Sequence, residues 1–589
     1  MNMKKTLYLV LAICILLASV PMVGFAQGTT DAEQAAAGKV CKIGETYYTT
    51  LGDALKAVKD GETVTLISDV KQDSTLPAIT AGITVTLNGN GFKLERVNND
   101  KTGTLFGDVK CNLVLDNCNI TASGAWSKGQ LLRAMQPTGD AISITVRNST
   151  IVLAANFAGE ALSDGKTLNI LFENSTVTTN NGNMGSFFER DFMGGQKVTI
   201  TLDRSTLNLY TGKLWTIKGG GSVAKLILKN GSCLNSQGGN TPFTSWRDAQ
   251  TVGTNQQSIE LYDSEILVSD KLNKASDSSH PLNWTDGEVS LKMDEKSAFR
   301  TNRTNATTGQ KDGVFLFRIA GGTNLTVELE KGAVIEMNDC GVKDKTKLIW
   351  WQGDAKINLI DKGAEWKFGA NIQRCGVMMN LPWGARQLGW ASADGTRLYS
   401  NDKLLNVADA TEPLTLKIAN YSETDFGNKA GASIRLTDPL GIRFAVNVSS
   451  ALTAALAGYA GMTVTFGAIL APTAKVTGAF TPEGVGEGNY VITDPAAFRW
   501  AVENVDGMNE YRVALVGIPA TKSALEMQFS ATGFFTVKYA DGSTRTFYAA
   551  FDQTANSRSL YEVAQAAQAA GITGDAITQI LNICQAGNQ

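Results

Sequence analysis

The feature that most constrains the fold is a phrase that recurs about every 30 residues between residues 80 and 370. Each copy holds a short strand of alternating apolar and polar residues, a tight polar turn and a second alternating strand, as in ISITVRNSTIVL from Ile142. A period of this length predicts a solenoid or a propeller, because one unit cannot bury its apolar face without neighbours. The turn residues, spaced 26 to 35 residues apart, are Asn90, Asn117, Asn148, Asn174, Arg204, Asn230, Asp263, Lys296, Lys331 and Lys362.

A third apolar segment in each unit decides between these two architectures. Examples are GKLWTIK near Leu214, VFLFR near Phe315 and LIWWQ near Ile349. A propeller blade needs four strands in about 40 residues, whereas three short strands in about 30 residues favour a solenoid of three-stranded coils.

The turn chemistry agrees with a solenoid. Asn adopts left-handed backbone angles more readily than other non-glycine residues, and in coils stacked about 4.8 Å apart equivalent Asn amides can hydrogen-bond along the stack. The turns Asp116-Asn117-Cys118, Arg147-Asn148-Ser149-Thr150 and Glu173-Asn174-Ser175-Thr176 resemble the asparagine-turn repeats of the pectate-lyase-like parallel β-helix superfamily. The resemblance covers about half of the chain and implies an all-β fold, a right-handed parallel β-helix.

The segments that flank the repeats have their own patterns. Before the repeats, a strand and an amphipathic helix with apolar Leu51 and Leu55 predict a cap for the open end of the solenoid. This opening resembles that of secreted and surface proteins of gut Firmicutes. After the repeats, strands around the hairpin signal Asp541-Gly542 predict a smaller antiparallel β-sandwich-like domain that ends in helices. This part resembles a C-terminal module of extracellular clostridial proteins.

The N-terminus carries an export signal. Lys4 and Lys5 precede an apolar run from Leu7 to Val20, and small Gly24 and Ala26 suit a cleavage site. The alternative, a retained anchor, is disfavoured because the run is short for a span of about 20 residues. The sequence thus predicts 1–26 as signal peptide, 27–40 as flexible N-terminus, 41–80 as cap, 81–372 as β-helix, 373–430 as irregular last coils and linker, and 431–589 as a β-rich accessory domain.

Composition excludes several function classes. The net charge is only -3, with 53 basic and 56 acidic residues, so nothing indicates nucleic-acid binding. After the leader no apolar segment predicts a membrane span, and we expect a secreted protein, free or held at the cell envelope. Of eight cysteines seven follow the leader, and with His280 as the single histidine they form no zinc-like set. No cofactor is therefore expected, and the cysteines are interpreted mostly as buried apolar residues.

Acidic residues beside the turns keep an enzymatic alternative open. The resemblance implies that a polysaccharide lyase or glycoside hydrolase would use stacked carboxylates, with calcium in the lyases. Carboxylates one coil apart repel, raise each other's pKa or share a cation. The candidates are Glu173 with Asp203, and Glu295 with Glu330 and Asp361. Lysines follow the second set at once, which favours a solvated turn of mixed charge, and we expect no catalysis.

Aromatic and basic residues of the third segment are the candidates for binding. Flat aromatic faces beside hydrogen-bonding side chains are what sugar rings stack on, and cations favour acidic glycans. The set is Trp215, Trp246, Arg247, Trp284, Arg318, Trp350 and Trp351. The alternative is that some of these rings point inward as core. The sequence thus predicts a non-catalytic protein that binds a polysaccharide, a cell-surface glycan or another surface partner, with a structural spacer or adhesin as a further alternative.

Overall fold

The structure is a computed structural model. It describes residues 30–586 except 98–102, 124–128, 160–161, 180–186, 193, 211–212, 238–241, 246–253, 270–281, 304–314, 339–346, 352–353, 370–376, 380, 382–385, 402 and 406–413. Strands hold 49% of the residues and helices 13%, so the fold is all-β. Among the described helices, none combines the length and the apolar character that crossing a bilayer requires.

Three sheets, built almost entirely from parallel pairs, dominate residues 41–405. Successive strands of one sheet are one repeat apart, and the chain visits the sheets in turn, which is compatible with a β-helix. The first sheet has 13 strands: Thr46–Tyr48, Cys41–Ile43, Thr63–Leu66, Thr84–Asn88, Asn112–Asp116, Ala141–Arg147, Thr167–Glu173, Lys197–Asp203, Val223–Lys229, Gln256–Tyr262, Glu288–Met293, Asn324–Leu329 and Lys356–Asp361.

The strands of the second sheet follow directly after the turns along the chain. Eleven of its strands are parallel: Val70–Gln72, Lys93–Arg96, Asn119–Ala122, Thr150–Leu153, Thr176–Thr179, Thr206–Leu209, Cys233–Ser236, Glu265–Ser269, Ala298–Asn302, Val334–Met337 and Glu365–Phe368. The sheet then ends on three antiparallel strands, Leu414–Asn420, Gln387–Ser392 and Leu398–Tyr399.

The third sheet contains the third apolar segment of each repeat. It starts as the pair Thr104–Val109 and Gln130–Met135, which isolated bridges extend at Ala158 and Phe188. Its seven later strands are Trp215–Ile217, Phe243–Ser245, Leu282–Trp284, Phe315–Ile319, Lys347–Trp351, Val377–Met379 and Lys403–Leu405, the last of them antiparallel.

Rows of aliphatic residues form the core between the sheets. In the first sheet Ile144, Ile170, Ile200 and Leu226 are register partners on consecutive strands, and each is at most 2% exposed. Full burial of such a side chain contributes about 1.5–3 kcal/mol. Alternation within each strand thus stacks several such apolar rows through the coils, since the rows that begin at Ile142 and Val146 are buried as well.

The N-terminal end of this core is covered. Strands Cys41–Ile43 and Thr46–Tyr48 form a hairpin, and the first of them pairs antiparallel with Thr63–Leu66. Helix Leu51–Ala57 begins after Thr50, whose side chain accepts from the Asp53 N–H, and a second short helix spans Asp31–Ala36. The predicted apolar helix face is buried: Leu51, Ala54, Leu55 and Val58 are at most 3% exposed.

The predicted left-handed turns are confirmed at the first seven positions. Asn90, Asn117, Asn148, Asn174, Arg204, Asn230 and Asp263 all have φ between 47° and 59°. The three lysines also lie in turns, but none has positive φ; Gly332 (99°) and Gly363 (116°) take that geometry. The turns also differ in length, since two residues separate the strands around Asn148, whereas four separate Leu329 from Val334.

A ladder along the turns exists, but serines rather than asparagines carry it. Among the described turn asparagines, one amide bonds to the next, from Asn174 Nδ2 to Asn148 Oδ1 at 2.9 Å. From Asn117 to Asp263, a residue one or two positions after each turn residue instead donates its backbone N–H to the following coil's serine Oγ, at 2.9–3.2 Å. The chain of donors and acceptors runs through Cys118, Ser149, Ser175, Ser205, Ser232, Ser264 and Ser297, all of them buried.

Residues 426–558 form two antiparallel sheets of five strands each. One contains Phe426–Asn428, Ser433–Arg435, Gly441–Ser449, Trp500–Val505 and Met508–Val516, and the other contains Thr463–Pro472, Val491–Ile492, Phe529–Lys538, Thr544–Tyr548 and Ser557–Arg558. The α-helices are Ser450–Gly458, Pro482–Val485, Lys522–Glu526, Gln553–Asn556, Leu560–Ala569 and Asp575–Gln585, with 3₁₀ turns at Thr473–Lys475 and Pro495–Ala497.

These sheets share a hydrophobic cluster with the antiparallel end of the second sheet. Leu388, Leu398 and Tyr421 are buried in one cluster with Phe426 and Phe535. Polar contacts join the same parts: Arg545 Nη1 donates to Gln387 O at 2.9 Å and Ser400 Oγ donates to Asp541 Oδ2 at 3.0 Å. The antiparallel end of the second sheet is therefore packed against the C-terminal sheets.

Candidate functional site

Strand register sorts the predicted aromatic row into two faces of the third sheet. Thr216, Thr244, Asn283, Arg318 and Trp350 form one row of register partners. The neighbouring rows begin at Trp215 and Ile217 and belong to the opposite face, because side chains alternate along a strand. Trp215 and Trp350 therefore point to opposite sides of the sheet.

Two of the predicted ligand-binding tryptophans lie in the core. Trp215 and Trp284 have no exposed surface. Trp215 Nε1 donates to Gln257 Oε1 at 2.9 Å inside the coil, and the indole packs edge-on against Phe243 with ring centroids 5.6 Å apart. Neither ring offers a face to a sugar, so the core alternative holds for both.

Arg318 and Trp350 come together on the other face. The Arg318 guanidinium carbon lies 4.8 Å from the Trp350 ring centroid, and Arg318 Nη1 donates to Asn283 Oδ1 at 3.1 Å. Both the arginine and the tryptophan are half-buried. The three residues occupy adjacent coils, about 4.8 Å apart, and we call them the third-sheet surface. Asn283 itself is only 4% exposed and holds the arginine. The accessible part of this surface is therefore a π face and a planar cation, groups that bind sugar rings and carboxylates.

The other members of the predicted set are less informative. Trp246 and Arg247 lie outside the described residues. Trp351 ends the strand Lys347–Trp351 as the register partner of Ile319. Elsewhere on the third sheet a cation is paired within the chain, since Arg133 binds Asp108 with two bonds of 2.7 Å.

The first carboxylate pair is adjacent but neutralised. Glu173 and Asp203 are register partners, and Arg204 lies 3.2 Å from both. Asn230 Nδ2 donates to Asp203 Oδ1 at 2.9 Å, and Lys229 Nζ lies 3.1 Å from Oδ2. The Asn230 hydrogen bond and then Lys229 hold the pKa of Asp203 below its ordinary value. A general acid needs the opposite shift, so this pair is arranged as an ion-pair cluster.

The second carboxylate set does not converge. Asp361 is the register partner of Leu329, one position before Glu330, because the turns differ in length. Asp361 instead accepts from the Gly363 and Ala364 N–H groups and from Trp366 Nε1, at 2.7–2.9 Å. Glu330 binds Lys362 at 2.5 Å. Glu295 lies in an exposed four-residue turn. These acids therefore act separately, as turn and ion-pair residues.

Metal-ligating and thiol groups give no further site in the part of the chain that the structure describes. No group of three or more His, Cys, Asp or Glu side chains there is placed to hold a metal ion. His280 lies outside the described residues. Cys41, Cys111, Cys118 and Cys584 are buried free thiols, and burial raises the pKa of Cys118 to about 12, which suits an inert apolar residue.

The third-sheet surface is thus the one predicted binding feature whose described members meet on an accessible face. The signal that sequence reasoning missed is the register within three-residue strands, which decides which tryptophan points inward. Comparison with known proteins adds no assignment: no protein family model, curated protein or solved structure matches the chain.

Proposed function

We propose that the chain is a secreted or cell-surface right-handed parallel β-helix protein that binds a glycan without cleaving it. The predicted leader at residues 1–26 supports secretion. The 30-residue repeat and the three long parallel sheets support the architecture. The two antiparallel sheets after residue 426 support an accessory C-terminal domain.

The contact of Arg318 with Trp350, beside Asn283, carries the binding proposal. A stacked guanidinium is held in a fixed orientation, so less side-chain entropy is lost when it binds a ligand oxygen. The ring supplies apolar contact to the flat face of a sugar, while the cation favours a carboxylate or sulfate on the glycan.

The carboxylates support binding over catalysis. A glycosidase needs one carboxyl with a raised pKa and a second one close to the same bond. Here Asp203 has a lowered pKa, Glu330 binds a lysine and Asp361 accepts from turn N–H groups. These three acids are therefore engaged by the chain itself and are not arranged as a catalytic pair.

The test is a glycan array of neutral and acidic polysaccharides, followed by calorimetry on the hits. We expect Trp350→Ala and Arg318→Gln to weaken binding about tenfold each, the loss of one good contact of about 1.4 kcal/mol. Arg133→Gln, a cation on an earlier coil of the same sheet, is the matched control and should bind as the parent does. Thermal melting verifies that each variant is folded.

Two outcomes would contradict the proposal. Release of reducing ends or unsaturated uronic acid from a bound polysaccharide would favour the enzymatic alternative. Absence of binding to every glycan would favour a structural spacer. Equal binding by Trp350→Ala would instead place glycan binding elsewhere in the chain.

A further inference from the structure

A groove of about 620 Å³ lies in the C-terminal part of the chain, away from the third-sheet surface. Strand Ser433–Arg435 forms one wall, and helices Leu560–Ala569 and Asp575–Gln585 form the other. The lining is mostly apolar, with small Ala566 and Ala570 along the helical wall. Leu436 and Ile572 at the groove are 66% and 58% exposed. Large aliphatic side chains left this open beside an apolar groove mark a surface that a partner covers.

The strand that forms the wall has an unused edge. Ser433–Arg435 pairs antiparallel with Gly441–Ser449 on one side, and within the described strands nothing pairs with its other side. The free backbone N–H and C=O groups of such an edge are the template to which an extended peptide adds as a further strand. The adjacent apolar groove then receives alternate side chains of that peptide, because they project to one face.

The charges at the groove select the kind of peptide. Arg558 lines the groove and Arg435 belongs to the edge strand, and neither has a carboxylate partner among the described residues. Their hydrogen bonds to backbone carbonyls use Nη1, which leaves other guanidinium N–H groups for a ligand. The acid in the lining, Glu562, is engaged by the Ser559 N–H at 2.8 Å and by Gln528 Nε2 at 2.9 Å. Both arginines therefore keep guanidinium N–H groups available for an anionic ligand at the groove and its edge strand.

We propose that this groove binds an extended peptide segment of a partner protein, with alternating apolar and acidic residues, by strand addition to Ser433–Arg435. The apolar side chains enter the groove beside Ala566 and Ala570. The acidic side chains alternate with them and lie on the other face of the added strand, the face of Arg435, because Arg435 follows the buried Ile434. The site is independent of glycan binding at the third-sheet surface.

The test measures fluorescence anisotropy of labelled hexapeptides added to the full chain. The probe alternates Asp and Val, and its control replaces each Asp with Lys. We expect the acidic peptide alone to bind, and Ala566→Trp, which fills the groove from an exposed position, to weaken binding at least about tenfold. Ala455→Trp, an exposed alanine of helix Ser450–Gly458 outside the groove, is the matched control and should leave binding unchanged.

Further arms separate strand addition from other modes. Arg435→Gln should weaken binding of the acidic peptide severalfold without adding volume to the groove, which covers the case in which Ala566→Trp disturbs packing. N-methylation of alternate peptide amides should abolish binding if main-chain bonds carry it. Equal binding of the methylated or the lysine peptide would overturn the proposal. So would failure of the acidic peptide to bind. If a fatty acid such as dodecanoate binds instead and Ala566→Trp blocks it, the groove takes an apolar ligand and not a peptide.

Discussion

At the scale of single residues, backbone stereochemistry decides where the chain turns. A left-handed conformation costs an ordinary L-residue about 1–2 kcal/mol, and Asn tolerates it better than most. Six consecutive turns, from Asn117 to Asp263, have this geometry at the first position after a strand. Because the requirement is local, these positions could be predicted from the sequence.

Asn117 isolates the backbone contribution, since its side chain is exposed and has no hydrogen bond to a described residue. We expect Asn117→Ala to lower the free energy of unfolding by about 1–2 kcal/mol and Asn117→Gly to lower it less, because Gly has no Cβ to clash at positive φ. Urea denaturation followed by tryptophan fluorescence measures both. Asn119→Ala, on the adjoining strand, is the control with little effect, and equal losses for Ala and Gly would refute the argument.

Asp203 predicts a defined pH dependence. Its pKa is lowered in the folded chain, so it stabilises the fold above its unfolded-state pKa of about 3.9, and this contribution disappears as pH falls through the lower folded-state value. Asp203→Asn should therefore be less stable than the parent at about pH 7, and the difference should shrink as pH falls through the lowered folded-state pKa. Urea midpoints across this range give the comparison, and a gap that does not change with pH would contradict the assignment.

The orientation of the tryptophans is the residue-scale feature that the sequence could not give. An indole is stable both inside a coil and on its surface, and in a three-residue strand such as Trp215–Ile217 alternation has too few positions to define a face. Trp284 lies in register with Ile319 and is buried, whereas Trp350 lies in register with Arg318 and is not.

At the scale of elements, the turns are tied to each other by the serine ladder. Each N–H at these corners points along the stack to the next coil, and it would be unsatisfied in the core without a side-chain acceptor. Ser175 illustrates the unit: Oγ accepts from the Ser149 N–H at 3.1 Å and donates to Glu173 O at 2.8 Å. Serine is common in turns of every kind, so its position after Asn did not predict this role.

Removing one rung should cost more than an ordinary surface substitution. Ser175→Ala leaves the buried Ser149 N–H without an acceptor, and we expect a loss of about 1–3 kcal/mol in the free energy of unfolding. Ser175→Cys should cost less. A cysteine, Cys118, already occupies the equivalent corner at the start of the ladder, where its Sγ donates to Asp116 O. Hydrogen exchange of the Ser149 amide reports the rung directly, and unchanged protection in Ser175→Ala would exclude the proposed role.

At the scale of the whole molecule, the stacked parallel sheets and the C-terminal sheets are joined through one cluster. The Phe535 ring lies 5.5 Å from Tyr421 and 4.9 Å from Phe426, centroid to centroid. The repeat predicted the stacked sheets because every unit has the same pattern of alternating apolar and polar residues around a turn. It could not predict how they end, since the closing strands Gln387–Ser392 and Leu414–Asn420 are antiparallel and have no repeat to follow.

A chain that stops after Ser422 should therefore expose apolar surface and self-associate. Leu388, Leu398 and Tyr421, at most 7% exposed in the full chain, would lose the apolar groups that cover them. We expect the shortened chain to bind an apolar dye and to self-associate, as judged by light scattering during size-exclusion chromatography, while the full chain does neither. A monodisperse, dye-free shortened chain would show that the cluster is dispensable.

The change in turn length along the stack has a consequence for how this scaffold can be altered. The corners around Asn148 and Asn174 admit few residue types and bury their serines, so inserted sequence there would break both backbone geometry and ladder. The four-residue turns before Ala298 and Val334 are exposed at Glu295 and Lys331 and place no ordinary residue at positive φ. Foreign loops grafted at these two corners should leave the coils intact, which makes them the natural points at which to display a peptide on this protein.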